Sequence, residues 1–126
     1  MKLFVFSLLL VGLLFQSAYA TEYTAQYKDC AAKAASMADS RQCAADELKR
    51  QDALLGAEYK LVMSRAAPNA KAALSKAQSA WSSFRDADCK AQEAGITGSG
   101  AADMYFSCML DYTNSRISQL ENYWAL

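Results

Sequence analysis

Arginine, aspartate and cysteine side chains occur close together in residues 78–89, which read QSAWSSFRDADC. An enzyme could use Asp86 or Asp88 as a general acid or base, and Arg85 to stabilise negative charge on a substrate. On a helix, however, Arg85 and Asp88 can be neighbours, whereas Asp86 points to another side. The stretch by itself therefore does not predict that these groups converge on a substrate.

The other parts of a nucleophilic active site or a zinc site are missing from the sequence. The chain has no histidine, and its four cysteines are an even number that leaves no obligatory free thiol. These cysteines are not spaced as pairs of metal ligands. Nothing in the sequence places two carboxylates on opposite sides of a cleft, as sugar hydrolysis requires. We therefore expect neither an enzyme nor a metal or cofactor site.

The segment 1–20 has the pattern of a secretory signal peptide. Lys2 is followed by an apolar run and then by the small-residue motif AYA, which ends at Ala20. The apolar run is shorter than the roughly 20 residues that a membrane-spanning helix needs. Cleavage after Ala20 would leave a domain over 21–126 that begins with threonine instead of a lipid-accepting cysteine. We expect a secreted protein without a membrane anchor, which is periplasmic if the source is Gram-negative.

The charge balance argues against nucleic acid as a partner. The full chain has 13 Lys and Arg and 13 Asp and Glu, and loss of Lys2 with the signal peptide leaves 12 against 13, a formal charge of −1. No basic surface is therefore expected to hold a phosphate backbone. A chain of this length forms one domain with a modest core, which disulfides would stabilise considerably.

Composition and hydrophobic spacing predict an all-α protein. Beyond residue 20 the chain is rich in alanine, leucine, glutamine, lysine and glutamate, and it contains a single proline. Four helices are expected: one over about 23–37, one from an N-cap at Asp39 or Ser40 to the residues before Pro68, one over about 69–94, and one from about residue 101. Gly95 is the expected stop of the third helix, before a glycine-rich connection over 95–100.

The expected helical hairpins restrict how the cysteines can pair. In a hairpin of antiparallel helices, residues at similar distances from the turn lie side by side. Cys89 and Cys108 flank the glycine-rich connection in this way, and Cys30 and Cys43 flank the first turn. Of three formally open pairings, we therefore predict Cys30 with Cys43 and Cys89 with Cys108, in a small four-helix antiparallel bundle.

An ordered set of cysteine, aromatic and charged residues extends along the chain from Cys43 to Leu120. Its members are Cys43, Asp52, Leu55, Tyr59, Gln78, Trp81, Arg85, Asp86, Cys89, Cys108, Thr113, Arg116 and Leu120. In this order they resemble the pattern of the lysozyme inhibitor LprI-like family, over about 30–120. Two departures are Gly56, where the family usually has asparagine, and the absence of a lipobox cysteine. The resemblance implies a small exported helical domain that inhibits a lysozyme.

The charged and aromatic members of this set are predicted to hold helices together. Arg85 or Asp86 is expected to pair with a polar group on a neighbouring helix, because buried charges are normally paired. Asp52 and Arg116 are the candidate partners. The predicted core anchors are Tyr59, Trp81, Phe84 and Leu120.

Two interpretations of the glycine-rich connection stay open. Its residues are Gly95, Ile96, Thr97, Gly98, Ser99 and Gly100. They would form the binding loop if the domain inhibits a lysozyme, because the segment is flexible, polar and braced by the expected disulfide. The same glycines can instead simply connect two helices. We predict an envelope protein that binds a protein partner, with a lysozyme as the specific candidate; the alternative is a non-inhibitory structural or ligand-binding module.

Overall fold

A computed structural model describes residues 22–123 of the chain. Within this range the helices are α1 (Ala25–Lys33), α2 (Met37–Arg65), α3 (Pro68–Ala94) and α4 (Gly100–Glu121). The described residues contain no strand. The predicted all-α class with four helices is confirmed. The predicted signal peptide over 1–20 lies outside the described residues.

The start of α2 differs from the sequence prediction. Ser36 caps this helix, because its hydroxyl accepts a hydrogen bond of 3.1 Å from the backbone N–H of Asp39. The prediction of a cap at Asp39 or Ser40 is wrong, since both residues already lie in the helix. Asp39 lies in the first turn, where a carboxylate interacts favourably with the helix dipole. The chain therefore has to leave α1 at Lys33, earlier than the predicted end near Met37.

A sharp turn joins α2 to α3. Ala66 and Ala67 are both in extended conformation, and Pro68 is the first residue of α3. Proline fits this position because the first residues of a helix need no backbone N–H for intrahelical bonding. The residue before a proline is disfavoured in helical geometry, which explains why α2 ends where it does. The chain then continues into α3, whose backbone packs closely against α4.

The helix α4 lies at the centre of the packing. It packs against both α2 and α3, while α1 packs against α2. One buried cluster combines residues of the three long helices: Leu55, Val62, Leu74 and Leu120. A second cluster consists of Cys89, Cys108 and Met109. Burial of a large apolar side chain contributes about 1.5–3 kcal/mol, so these clusters hold the three helices together. Over 22–123, no helix is both long and apolar enough to cross a lipid bilayer.

Two disulfides connect neighbouring helices. Cys30–Cys43 joins α1 to α2 with a Cα–Cα distance of 5.7 Å. Cys89–Cys108 joins α3 to α4 with a Cα–Cα distance of 5.5 Å. Both predicted pairings are confirmed. Cys89 and Cys108 lie within about two helical turns of the connection between α3 and α4, and Cys43 lies within about two turns of the start of α2.

Candidate functional site

Arg85 is the centre of a polar cluster that joins three helices. Its Nη1 donates hydrogen bonds to Asp52 Oδ1 of α2, at 2.7 Å, and to Thr113 Oγ1 of α4, at 2.8 Å. Its Nε donates to Asp86 Oδ1 at 3.0 Å. Asp52 is thus the residue on the neighbouring helix that pairs with Arg85. Asp86 was expected to face away from Arg85 but contacts it, because the long arginine side chain reaches the adjacent carboxylate.

Arg85 is charged, as arginine is throughout proteins, and the carboxylates of this cluster stabilise its charge. Burial lowers the pKa of Arg85, but the hydrogen bonds and negative charges of Asp52 and Asp86 raise it, and the net result is a raised pKa. The cluster therefore contains a charged guanidinium with two compensating carboxylates. Hydrogen bonds between a guanidinium and carboxylates are strong and depend on direction.

Arg116 has different partners from those expected. It forms no ion pair with Asp86 among residues 22–123; its Nε donates to Gln78 Oε1 at 2.9 Å and its Nη1 to Gln119 Oε1 at 3.0 Å. Its Cζ lies 5.8 Å from the centre of the Trp81 ring. Both acceptors are neutral amides, so Arg116 is a separate polar site from the Arg85 cluster.

Three of the four predicted core anchors belong to or pack against the core, and the fourth is exposed. Leu120 is fully buried, and Tyr59 and Trp81 pack against the cluster that contains it. Phe84 is 53% exposed, so its prediction as a core anchor is wrong. Arg85 takes the buried position beside it, and the Phe84 ring instead packs edge-to-face on Tyr112, with centroids 5.5 Å apart.

The two aspartates considered for catalysis make contacts within the fold. Asp86 is bound to Arg85. Asp88 accepts hydrogen bonds from the Tyr112 hydroxyl at 2.9 Å and from Gln92 Nε2 at 2.8 Å. The bond to Asp88 raises the pKa of Tyr112. The described contacts therefore place these carboxylates on separate partners. Among residues 22–123, no three potential acidic or cysteine ligands are grouped as a metal ion would require.

Sequence reasoning missed a buried carboxylate at Glu47. Its side chain is fully buried, and it accepts hydrogen bonds from Thr24 N and Gln51 Nε2, both at 2.8 Å, and from Arg50 Nε at 2.9 Å. Gln51 also donates to the Glu22 carbonyl at 3.2 Å. These contacts attach the segment before α1 to α2. The signal that could have revealed them is the four-residue spacing that continues from Cys43 to buried positions along α2.

The hydrogen bonds to Glu47 control its ionisation. Burial by itself raises the pKa of Glu47, but the hydrogen bonds from Thr24, Gln51 and Arg50 lower it, and the net pKa is below the ordinary glutamate value. The carboxylate is therefore a charged, fully buried acceptor that holds the first described residues in place.

The glycine-rich connection is held against α2. Gly95 ends α3, and Gly98 has a φ of +82°, which glycine adopts more readily than other residues. The Ser99 carbonyl accepts a hydrogen bond of 2.8 Å from Arg41 Nη2, and Arg41 Nε donates to Asp103 Oδ1 at 3.0 Å. Arg41, which sequence reasoning missed, therefore attaches the start of α4 to α2.

The connection and the first turns of α2 and α4 carry exposed apolar side chains. Ile96 is 39% exposed, and Met37 of α2 and Met104 of α4 are also exposed. We define the glycine-loop surface as residues 95–100 together with Met37, Arg41 and Met104. A neighbouring groove of about 330 Å³ lies between α1, α2 and α4 and includes Met37 and Arg41 in its lining.

The fold and these contacts define a small disulfide-bonded helical protein whose polar clusters join its helices. Residues 17–120 match the model of the family described as Lysozyme inhibitor LprI, and the chain belongs to this family. The family resemblance in the sequence is thereby confirmed. Comparisons with curated proteins and with solved structures gave no match.

Proposed function

We propose that this chain is an exported inhibitor of a lysozyme and that it binds its target with the glycine-loop surface. The match of 17–120 to a family described by lysozyme inhibition is the observation that carries the inhibitor function. A protein of this kind acts by binding and performs no chemistry. The contacts of Asp86 and Asp88 with their neighbours support the same view.

Export of the chain is part of this proposal. The segment 1–20 combines a basic residue, an apolar run and a small-residue motif, as secretory signal peptides do. Disulfides persist in oxidising compartments outside the cytosol, so both cysteine pairs fit an exported protein. An inhibitor in the cell envelope would meet lysozyme there.

The geometry of the glycine-loop surface supports its role in binding. Arg41 restrains the loop on one side, and the Cys89–Cys108 bond connects the two helices that carry it. A restrained loop loses less conformational entropy on binding than a free one. Lysozyme cleaves glycosidic bonds with a pair of carboxyl groups in its cleft. The Thr97 hydroxyl can donate a hydrogen bond to such an acceptor, while Ile96 supplies apolar contact area.

The first test compares inhibition of c-type, g-type and i-type lysozymes by the purified mature protein. We expect inhibition of at least one class. Full activity of all three classes at a large excess of the protein would reject lysozyme inhibition.

A matched pair of substitutions locates the binding surface. Ile96→Ser removes an apolar contact from the glycine-loop surface, and Leu61→Ser removes one of similar exposure, 42%, from α2. The first is expected to weaken inhibition about tenfold, as the loss of a central contact does, and the second about twofold or less. Equal inhibition by both variants at unchanged melting temperature would reject this surface. Substitution is preferable to deletion of 97–99, which would also remove the Ser99 contact with Arg41.

A further inference from the structure

Arg116 is a buried cation without a carboxylate partner in the described part of the chain. The residue is 8% exposed, and its Nη2 is buried and has no hydrogen-bond partner among residues 22–123. Its other two donor nitrogens bind the amide oxygens of Gln78 and Gln119. Within the described range of 22–123, its positive charge is therefore compensated by neutral groups only.

Arg85 shows how this fold treats a comparable group. Arg85 is 7% exposed and contacts two carboxylates, those of Asp52 and Asp86. The less buried Arg41 has Asp103 as its partner. Removing a cation from water costs several kcal/mol unless an anion and hydrogen bonds compensate for it, so buried charges are normally paired. Arg116 departs from this pattern, so an anion from outside the described residues would stabilise its charge.

Arg116 also lines a cavity beside the last turns of α4. This cavity has a volume of about 600 Å³, and its lining residues are Ser115, Arg116, Ser118, Gln119, Asn122 and Tyr123. The volume is within the range of about 300–1,000 Å³ that small-molecule sites occupy. Among residues 22–123, every lining residue except Arg116 is neutral. The cavity thus offers one positive charge, several hydroxyl and amide groups, and the Tyr123 ring, whose centre lies 5.9 Å from Arg116 Cζ.

We propose that this cavity binds a small molecule through its carboxylate, with Arg116 as the charged donor. Nη1 and Nη2 of one guanidinium can hold both oxygens of a carboxylate at once. The exposed side chain of Gln119 accepts the hydrogen bond from Nη1. If this side chain moved away, Nη1 would be free to bind a ligand together with Nη2, which has no partner among residues 22–123. A carboxylate would then replace a neutral acceptor by a charged one. The hydroxyls of Ser115 and Ser118 would contribute polar contacts to the rest of the ligand.

This site is separate from the glycine-loop surface. Arg116 lies roughly 24 Å along the axis of α4 from Gly100, at a rise of 1.5 Å per residue. Experiments can therefore test the proposed ligand site and the proposed lysozyme-binding surface independently of each other.

The test is a titration of the full mature protein with carboxylates from two sources, followed by NMR. N-acetyl-dialanine represents a peptide carboxyl terminus, N-acetylmuramic acid represents a sugar acid, and the amide of each compound is its neutral control. We expect at least one carboxylate to shift the resonances of 115–123 and the Arg116 Nε–H, and to bind about tenfold more tightly than its amide, because hydrogen bonds to charged groups are the stronger ones. Binding of one compound or the other identifies the source of the carboxylate.

The variant Gln119→Glu tests the site while Arg116 remains in place and the fold is expected to stay intact. A glutamate at this position would supply the missing carboxylate from within the chain, so we expect a higher melting temperature and about tenfold weaker binding of the probe. Gln26→Glu makes the same change of charge at an exposed position of α1 and should leave binding unchanged within about twofold. Absence of saturable binding at millimolar concentrations, equal binding of acid and amide, or unaltered binding by Gln119→Glu would each overturn the proposal.

Discussion

The guanidinium of Arg85 and the carboxylate of Asp52 are joined by a 2.7 Å hydrogen bond that connects α3 to α2. The same Nη1 binds Thr113 of α4. One side chain thus bonds to both of the other long helices. Arg85 and Asp88, two of the residues that suggest catalysis in the sequence, therefore bond to neighbouring helices in the structure.

Replacement of Arg85 by alanine is expected to destabilise the fold by about 2–4 kcal/mol, since it removes several charge-assisted hydrogen bonds from a buried position. Asp52 and Asp86 are partly exposed and can be hydrated after the change, which limits the loss. Urea unfolding measures it. Arg65→Ala, at an exposed position near the end of α2, is the control and should cost about 0.5 kcal/mol or less. Equal stability of the two variants would contradict the role of the Arg85 cluster.

The variant Glu47→Gln is expected to change the dependence of stability on pH. Because the pKa of Glu47 is lowered in the folded protein, its carboxylate contributes stability above the ordinary glutamate pKa of about 4.3, and this contribution is lost as the pH falls through the folded-state pKa. The variant should therefore be less stable than the parent at pH 7, and the difference should shrink at pH 3. Urea unfolding at both pH values measures this difference.

Glu121→Gln is the control for this experiment, because Glu121 is exposed at the end of α4. It should change stability little at either pH. A stability difference between parent and Glu47→Gln that stayed constant from pH 7 to pH 3 would contradict the proposed state of Glu47.

Loss of either disulfide is expected to lower the free energy of unfolding by about 3 kcal/mol in the chain-entropy model, since the bonds close loops of similar length. Their effects on inhibition should differ. Replacing Cys89 and Cys108 by alanine releases the two helices that carry the glycine-rich connection, so inhibition should weaken more than after replacement of Cys30 and Cys43. Inhibition constants of the two double variants, measured well below their melting temperatures, test this order. The reverse order would argue against the glycine-loop surface.

Arg41→Ala is expected to weaken inhibition while changing the stability of the fold only slightly. The ion pair of Arg41 with Asp103 is partly exposed, so its loss should cost about 1 kcal/mol or less. The loop would lose its contact at the Ser99 carbonyl and become more mobile, and inhibition should weaken several-fold. Thermal unfolding and the inhibition constant are measured on the same preparation. A large loss of stability with unchanged inhibition would contradict the bracing role of Arg41.

Much of the fold follows from local signals. Pro68 and Gly95 mark real helix boundaries, because their effects on the backbone act within a few residues. The pairing of Cys89 with Cys108 follows from hairpin geometry. The contact of Arg85 with Asp52 could be expected since a buried cation needs an anion on a neighbouring helix.

The errors arise where apolar periodicity does not decide which residue is buried. Phe84 suits a core position by its chemistry, but Arg85 takes it because the carboxylates and Thr113 compensate its burial. Glu47 looks like a surface residue until Thr24, from a distant part of the chain, supplies its hydrogen bonds. Such compensation depends on tertiary contacts that a single sequence does not show.

The central claim is that the glycine-loop surface blocks the substrate cleft of a lysozyme. Steady-state kinetics of a susceptible lysozyme on a soluble glycan substrate, at several inhibitor concentrations, tests it most directly. We predict a rise in KM with unchanged kcat, because substrate and inhibitor would exclude each other, and a much smaller rise with the Ile96→Ser variant. A fall in kcat at unchanged KM, or no inhibition of any lysozyme, would contradict the claim.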